Sequence, residues 1–197
     1  MIPFNPQIHH RRSTRLQGYD YTHPGAYFIT LVTYQRDCLF GSVIDGEMQL
    51  SALGKIALDQ WMRSIGIRKE ITIHEDEFVI MPNHLHGIVW IIGLVGADGV
   101  RPNDNVLPHD GTGAYHAPLR RKPRSLSSFV AGFKAAVTSR ADHQLNMNGI
   151  WQRNYYDHII RDDQDFINIW NYIDTNPQGR QEDQLHPFTT INLFNQE

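Results

Sequence analysis

The sequence predicts an α+β fold of the ferredoxin-like kind, an antiparallel sheet of about four to five strands with helices on one face. Three observations point there: runs rich in aromatic and β-branched residues, stretches whose apolar residues recur at helical spacing, and their succession as β, α, β, β, α, β, α. At 197 residues and 41% hydrophobic composition, the chain is sized for a single domain with one core. Residues 1–197 are therefore expected to form one unit. Its appendages are a basic N-terminal arm at 1–20, a long flexible loop at 93–118 and a C-terminal tail at 178–197.

The first strand is expected at Tyr27 to Tyr34, YFITLVTY, after the turn signal His23-Pro24-Gly25. Ser51 suits the N-cap of a helix carrying Leu53, Ile56, Ala57, Trp61 and Ile65 at helical spacing, with Gly66 closing it. Ile71 to Ile80 and His84 to Ile92 read as strands, and Met81-Pro82-Asn83 between them marks a tight connection and an antiparallel pair. Residues 93–118, loaded with Gly, Asp, Asn and Pro, show no periodicity. Ser125 to Asp142 resumes helical spacing through Leu126, Phe129, Val130, Phe133, Ala136 and Val137. Tyr155 to Ile160 gives another strand. Asp163 to Thr175, with Phe166, Ile169, Trp170 and Ile173, gives the last helix, ended by Pro177 and Gly179.

The longest apolar run, Gly87 to Val95, is too short to cross a bilayer, and the N-terminus lacks the order of a secretory signal, so a soluble cytoplasmic protein is expected. The single cysteine, Cys38, has no disulfide or zinc partner and is expected to be a buried or half-buried spectator. A net charge of −3 argues against bulk electrostatic binding of nucleic acid. The distribution argues otherwise. Arg11, Arg12 and Arg15 fall in an acid-free stretch at 1–19, and Arg120, Arg121, Lys122, Arg124, Lys134 and Arg140 in another at 111–141. Together these hold nine of the 18 cationic residues, so a basic face on an acidic protein is plausible, with a solvated loop as the alternative.

Two local patterns carry chemistry. In Met81-Pro82-Asn83-His84-Leu85-His86-Gly87-Ile88 the two histidines alternate with a leucine, so on a strand they share one face with Cα atoms roughly 6.5–7 Å apart. Two imidazoles so placed can converge on one metal ion, although a surface or hydrogen-bonded pair would look the same. Ile88 in the next alternate position excludes a His-x-His-x-His nucleotide hydrolase, and no His-Glu-x-x-His of a helical zinc protease occurs. The second pattern is Tyr172-Ile173-Asp174-Thr175-Asn176-Pro177, where Tyr172 and Asn176 lie one helical turn apart on one face. By itself that pair reads as ordinary structure, tyrosine as core packing and Asn before Pro as a cap or turn.

Taken jointly the motifs are specific. YFITLVT at Tyr27 to Thr33, Phe40-Gly41, MPNHLHGI at 81–88, SLSSFVAGFK at 125–134, WQRNYYDHIIRD at 151–162 and YIDTNP at 172–177 stand together in one chain. In this combination and order the chain resembles the REP-associated tyrosine transposases and the single-strand insertion-sequence transposases, members of the HUH endonuclease superfamily. The likeness runs from Arg12 to Pro177.

The resemblance implies that His84 and His86 are the metal-binding pair and that Tyr172, on the last helix, is the catalytic nucleophile. Where insertion-sequence relatives carry a glutamine as third ligand, this chain has Asn176, one methylene shorter. It further implies Mg²⁺ or Mn²⁺ as cofactor, single-stranded or hairpin DNA as partner, a 5′-phosphotyrosine intermediate, a monomer or homodimer, and a place in a bacterial cytoplasm near the nucleoid. Arg120, Arg121, Lys122 and Arg124, with Lys134, are expected to contact phosphates of a folded strand, and the arm with Arg11, Arg12 and Arg15 to reach a groove or flanking sequence. His158 is expected to be structural or to support the site from behind. Tyr155 and Tyr156 are adjacent and must face opposite sides of a strand, so at most one approaches the site.

The chemistry suits these residue types. A phenol of pKa about 10 is roughly 0.1% phenolate at pH 7, so attack on a phosphodiester needs help. A divalent ion on two neutral imidazoles would polarise the phosphate. Alternatives within the same fold are a domesticated hairpin-binding protein and a replication-initiator nickase; a hydrolase using the histidines to activate water is a third.

Overall fold

The computed structural model describes residue 16 and residues 18–92 and 123–176. Its five-stranded antiparallel sheet is built from β1 (Gly25–Val32), β4 (Ile71–Thr72), β5 (Phe78–Met81), β6 (His84–Ile91) and β7 (Tyr156–Ile160). The strands run β4-β6-β1-β7, and β5 continues the β4 edge by pairing with the other half of β6. β1 and β6 lie centrally, in register from Gly25 opposite Ile91 to Val32 opposite His84. With α1 (Ala52–Ile67) crossing from β1 to the β4 edge and α2 (Leu126–Leu145) leading to β7, this is the ferredoxin-like order the sequence predicts.

Helix ends follow their side chains. Ser51 accepts from the Gly54 N–H at 3.0 Å, Ser125 from the Ser128 N–H at 3.2 Å and Asp162 from the Asp165 N–H at 2.9 Å. Each cap satisfies a backbone donor that the helix leaves open, which is worth about 1 kcal/mol. The predicted bounds of α3 (Asp163–Thr175) hold, whereas α1 runs one residue past Gly66 and α2 extends to Leu145, where Asn146 closes it in the left-handed conformation.

Alternation along the central strands divides the apolar residues between two faces. Tyr27, Ile29, Leu31, Leu85 and Val89 point to the main core beneath α1 and α2. At its centre Trp61 of α1 is fully buried, stacked on Phe78 at 4.3 Å and met edge-on by Phe129 and Phe133 of α2. On the opposite face Ala26, Phe28, Ile88 and Trp90 pack under Phe166, Ile169 and Ile173 of α3. The two crossover helices therefore share one face, but α3 departs from the expected arrangement and covers the other. Its apolar stripe requires burial, and with α1 and α2 on one face of the sheet it is buried on the other.

Three further differences from expectation have local causes. The run from Ile71 to Ile80 is not one strand: a short 3₁₀ turn at Glu75–Glu77 splits it, and β4 and β5 meet β6 separately. A hairpin, β2 (Gly41–Ile44) and β3 (Glu47–Leu50), was not anticipated, although its Asp45-Gly46 turn, with φ of 52° and 80°, is the two-residue connection such hairpins favour. Cys38 is exposed rather than buried, because Phe40, two residues on, takes the core position. No helix among the described residues is long and apolar enough to cross a membrane.

Candidate active site

The connection Pro82-Asn83 joins β5 to β6 with Met81 opposite His84, which begins β6 at the end of the sheet. Leu85 points into the main core, so His84 and His86 both point to the α3 face, as strand alternation predicts. Their ring centroids are 4.5 Å apart with planes at 69°, and both residues are buried, His84 at 0% and His86 at 3% exposure. Gly87 follows because Trp61 lies against the strand there: a Cβ would sit 2.6 Å from its Cζ2.

Each imidazole is held at Nδ1. Asn83 Oδ1 lies 2.7 Å from His84 Nδ1, and Thr30 Oγ1, opposite His86 in register, lies 2.8 Å from His86 Nδ1. Phe28 stacks on the His86 ring at 5.2 Å and 20°. Burial pushes both histidines toward the neutral form, His86 down to about 3 and His84 well below its ordinary value, the latter also through His86 and Arg36. Neutral imidazoles are the form that ligates metals.

The last helix brings its tyrosine to this pair. Tyr172 Oη lies 3.2 Å from His86 Nε2, its ring edge-on to both His86 and Phe28, and the residue remains 42% exposed. One turn on, Asn176 caps α3 and is 4% exposed, its amide nitrogen without a hydrogen-bond partner among the described residues. Among those residues no group of three or more His, Cys, Asp or Glu could hold a metal ion. The donors are thus two neutral imidazoles on β6 and, one turn past Tyr172 on α3, the buried amide of Asn176, a set that can serve a divalent ion only if water and other oxygen ligands fill the rest of its shell.

No family model matches the sequence. A protein of Haemophilus influenzae (strain ATCC 51907 / DSM 11121 / KW20 / Rd), described as an uncharacterized protein, is 41% identical over 186 residues, covering 93% of this chain and 97% of its own. The chain belongs to that protein's family. Among solved structures, that of a REP-associated tyrosine transposase bound to a REP hairpin is similar over 86% of this chain and 76% of that one, with a TM-score of 0.53 and 16% identity. At this identity the likeness shows the fold: this family has a transposase-like fold.

In this member of the family the structure gathers Tyr172, His84 and His86 and leaves other expected residues elsewhere. His158 sits on β7 opposite Phe28, on the face of the histidine pair, but is half exposed and bonded to Asp165 of α3 at 2.8 Å. That bond ties β7 to α3 and holds the Asp165 carboxyl below its ordinary value. Tyr155 packs against the main core and Tyr156 pairs with Thr30, so Tyr156 is the one on the site's side. Lys134 has a structural engagement in place of the expected phosphate: its ammonium donates to the Gln152 and Asn154 carbonyls at 2.9 and 2.8 Å and lies over Trp151. Arg124 is exposed. Arg11, Arg12, Arg15, Arg120, Arg121 and Lys122 lie outside the described residues, as do residues 93–118 and the tail at 178–197. Sequence reasoning missed Thr30, Asn83, Phe28 and Arg36 as parts of the site. Asn83 stood beside the histidines in the motif, whereas Thr30 and Phe28 become neighbours only through the β1–β6 register.

Proposed function

We propose that the protein is a DNA strand-cleaving and joining enzyme of the tyrosine-transposase type, acting on single-stranded or hairpin DNA through Tyr172. The observation that carries the proposal is Tyr172, a partly exposed tyrosine whose hydroxyl is held 3.2 Å from one of two buried neutral histidines. The hairpin complex formed by the structurally similar transposase supports hairpin DNA as the substrate class.

Tyr172 Oη attacks the scissile phosphorus, forming an O–P bond while the bond from phosphorus to the 3′ oxygen breaks. The phenol proton passes to solvent, which reaches this side chain, and the departing 3′ oxygen takes up a proton to become a hydroxyl. The 5′ phosphate stays on the tyrosine, so the energy of the broken bond is conserved and a second 3′ hydroxyl can reverse the step without ATP. Phe28 and the apolar stripe of α3 hold the ring edge-on beside His86. His84 and His86, with Asn176 as a further donor, would hold Mg²⁺ or Mn²⁺, which when bound supplies positive charge to the phosphate oxygens.

The test is a denaturing gel with Mn²⁺ and a hairpin oligonucleotide labelled at its 3′ end. Wild type should give a slow covalent band that Tyr172→Phe abolishes, and a perfect duplex should give none. An adduct that survives in Tyr172→Phe, or that carries the 5′-labelled fragment, would overturn the assignment.

A further inference from the structure

We infer that Asn83 and Thr30 are positioning residues for the histidine pair: each accepts the Nδ1 hydrogen of one imidazole, so that both rings turn a lone-pair Nε2 to the site. The use of those lone pairs rests on the proposed function; the arrangement itself does not.

The case for Asn83 is chemical. An amide oxygen only accepts, so at 2.7 Å from His84 Nδ1 it requires a hydrogen on that nitrogen; the other tautomer would set two lone pairs against each other. Asn83 is 1% exposed, and its backbone carbonyl accepts from both the Thr33 N–H at 2.9 Å and the Thr33 hydroxyl at 2.8 Å. The turn is therefore clamped to the end of β1, and the amide is aimed rather than carried on a loose loop.

For Thr30 the choice is made by its competitor. His86 has a hydroxyl at each nitrogen, Thr30 at 2.8 Å from Nδ1 and Tyr172 at 3.2 Å from Nε2, and a neutral ring donates to one and accepts from the other. A phenol is a far stronger acid than an aliphatic alcohol, so Tyr172 donates to Nε2 and Thr30 accepts from Nδ1. Thr30 is buried at 5% and lies directly across from His86 on the neighbouring strand, and its branched side chain has little rotational freedom. A hydroxyl on an otherwise apolar buried strand position thereby has a purpose. Partners of this kind fix the ring and raise its basicity, and their removal typically lowers metal affinity about 10–100-fold.

The experiment reads tautomers in the full-length protein without added metal. Long-range ¹H–¹⁵N correlation at pH 7, assigned with His84→Gln and His86→Gln, should show Nδ1–H for both rings. An Nε2–H ring, or a mixture, at either position overturns the inference for that residue. Mn²⁺ binding, followed through the spin-resonance signal of the free ion, should weaken about tenfold or more in Thr30→Val and in Asn83→Ala and return to within about twofold of wild type in Thr30→Ser. Folded Thr30→Val that binds Mn²⁺ as wild type does, or Thr30→Ser as weak as Thr30→Val, also overturns it. If Thr30→Val does not fold, the wild-type tautomers and Asn83→Ala decide. A wild type that binds no Mn²⁺ would instead sink the metal part of the proposed function, and an adduct surviving in Tyr172→Phe its nucleophile; the tautomers are unaffected by either.

Discussion

Tyr172 Oη and His86 Nε2 lie 3.2 Å apart, within hydrogen-bonding reach, so the hydroxyl of the proposed nucleophile sits at the nitrogen that a metal ion would need. Hydroxyl and metal compete for one lone pair. Tyr172→Phe, which keeps the ring against Phe28, should therefore tighten Mn²⁺ binding while abolishing the covalent adduct. With a net hydrogen-bond contribution of about 0.5–1.5 kcal/mol, the gain should be about twofold to tenfold. Unchanged or weaker Mn²⁺ binding in that variant would show that the tyrosine does not compete for His86.

His84→Ala and His86→Ala should each reduce cleavage below detection and leave hairpin binding within about twofold, and EDTA should reproduce the loss. Asn176→Ala should lose about tenfold, since its amide, one methylene shorter than a glutamine, is the weakest of the three proposed donors. A loss equal to that of the histidine variants would make it a full ligand. Full cleavage in EDTA would remove the metal from the mechanism.

Acid should destabilise the fold through these histidines. In the unfolded chain they titrate near 6.5, whereas burial holds His86 down to about 3 and His84 well below its ordinary value. The unfolded state therefore binds more protons below pH 6.5, and the stability contributed by the neutral rings, complete above that pH, is lost as pH falls toward the folded values. Each ring adds up to about 1.4 kcal/mol per pH unit in this window. Urea unfolding at pH 7, 6 and 5 should show a steeper loss in wild type than in His86→Gln. Parallel curves would mean that the ring is not buried in the neutral form.

How much of this was legible depended on the range of the contact. His84 and His86 share a face because period two is a local property of β6, and Tyr172 and Asn176 because a helical turn is local to α3. The Asp45-Gly46 hairpin was equally local and was overlooked, masked by its short strands. Thr30, Phe28 and Arg36 reach the histidines through register and chain reversal, which no single segment encodes, whereas Asn83 adjoins His84 in the motif and only its side-chain contact was not read. The face covered by α3 was illegible for the same reason: its stripe of Phe166, Ile169 and Ile173 says that it must pack, and only the prior occupation of one face by α1 and α2 says where. The break in the Ile71 to Ile80 run lies at Glu75, Asp76 and Glu77. Glu77 is nonetheless buried and accepts from Trp90 Nε1 at 2.6 Å, a pairing invisible in composition.

Gly87, which follows the second histidine, is fixed by the opposite side of the sheet. A Cβ there would stand 2.6 and 2.7 Å from Cζ2 and Cη2 of Trp61, whose ring is fully buried between Phe78, Phe129 and Phe133 and has no room to withdraw. Gly87→Ala should cost about 1–3 kcal/mol by urea unfolding. Because relief requires β6 to shift, cleavage should fall further than stability alone explains. A variant as stable and active as wild type would show that the strand is not pressed against Trp61.

The cations divide into two groups with opposite expected behaviour. Arg120, Arg121, Lys122 and Arg124 stand in an acid-free stretch, and Arg124 is exposed. Lys134, from the same stretch, is committed to the Gln152 and Asn154 carbonyls and the Trp151 ring, and its burial lowers the ammonium to about 8. Cations that neutralise phosphates release counterions, so replacing the first four by neutral residues should weaken hairpin binding and reduce the salt slope by about 0.7 for each single-strand phosphate left without its cation. Lys134→Met should leave that slope unchanged and instead loosen the segment at 152–154, lowering stability by about 0.5–1.5 kcal/mol as the exposed Gln152 and Asn154 carbonyls lose their charged donor. Binding measured against salt concentration, with urea unfolding of the same variants, separates the two. A flat response from the fourfold variant would return Arg120 to Arg124 to the solvent, and a reduced slope in Lys134→Met would place its ammonium on the DNA.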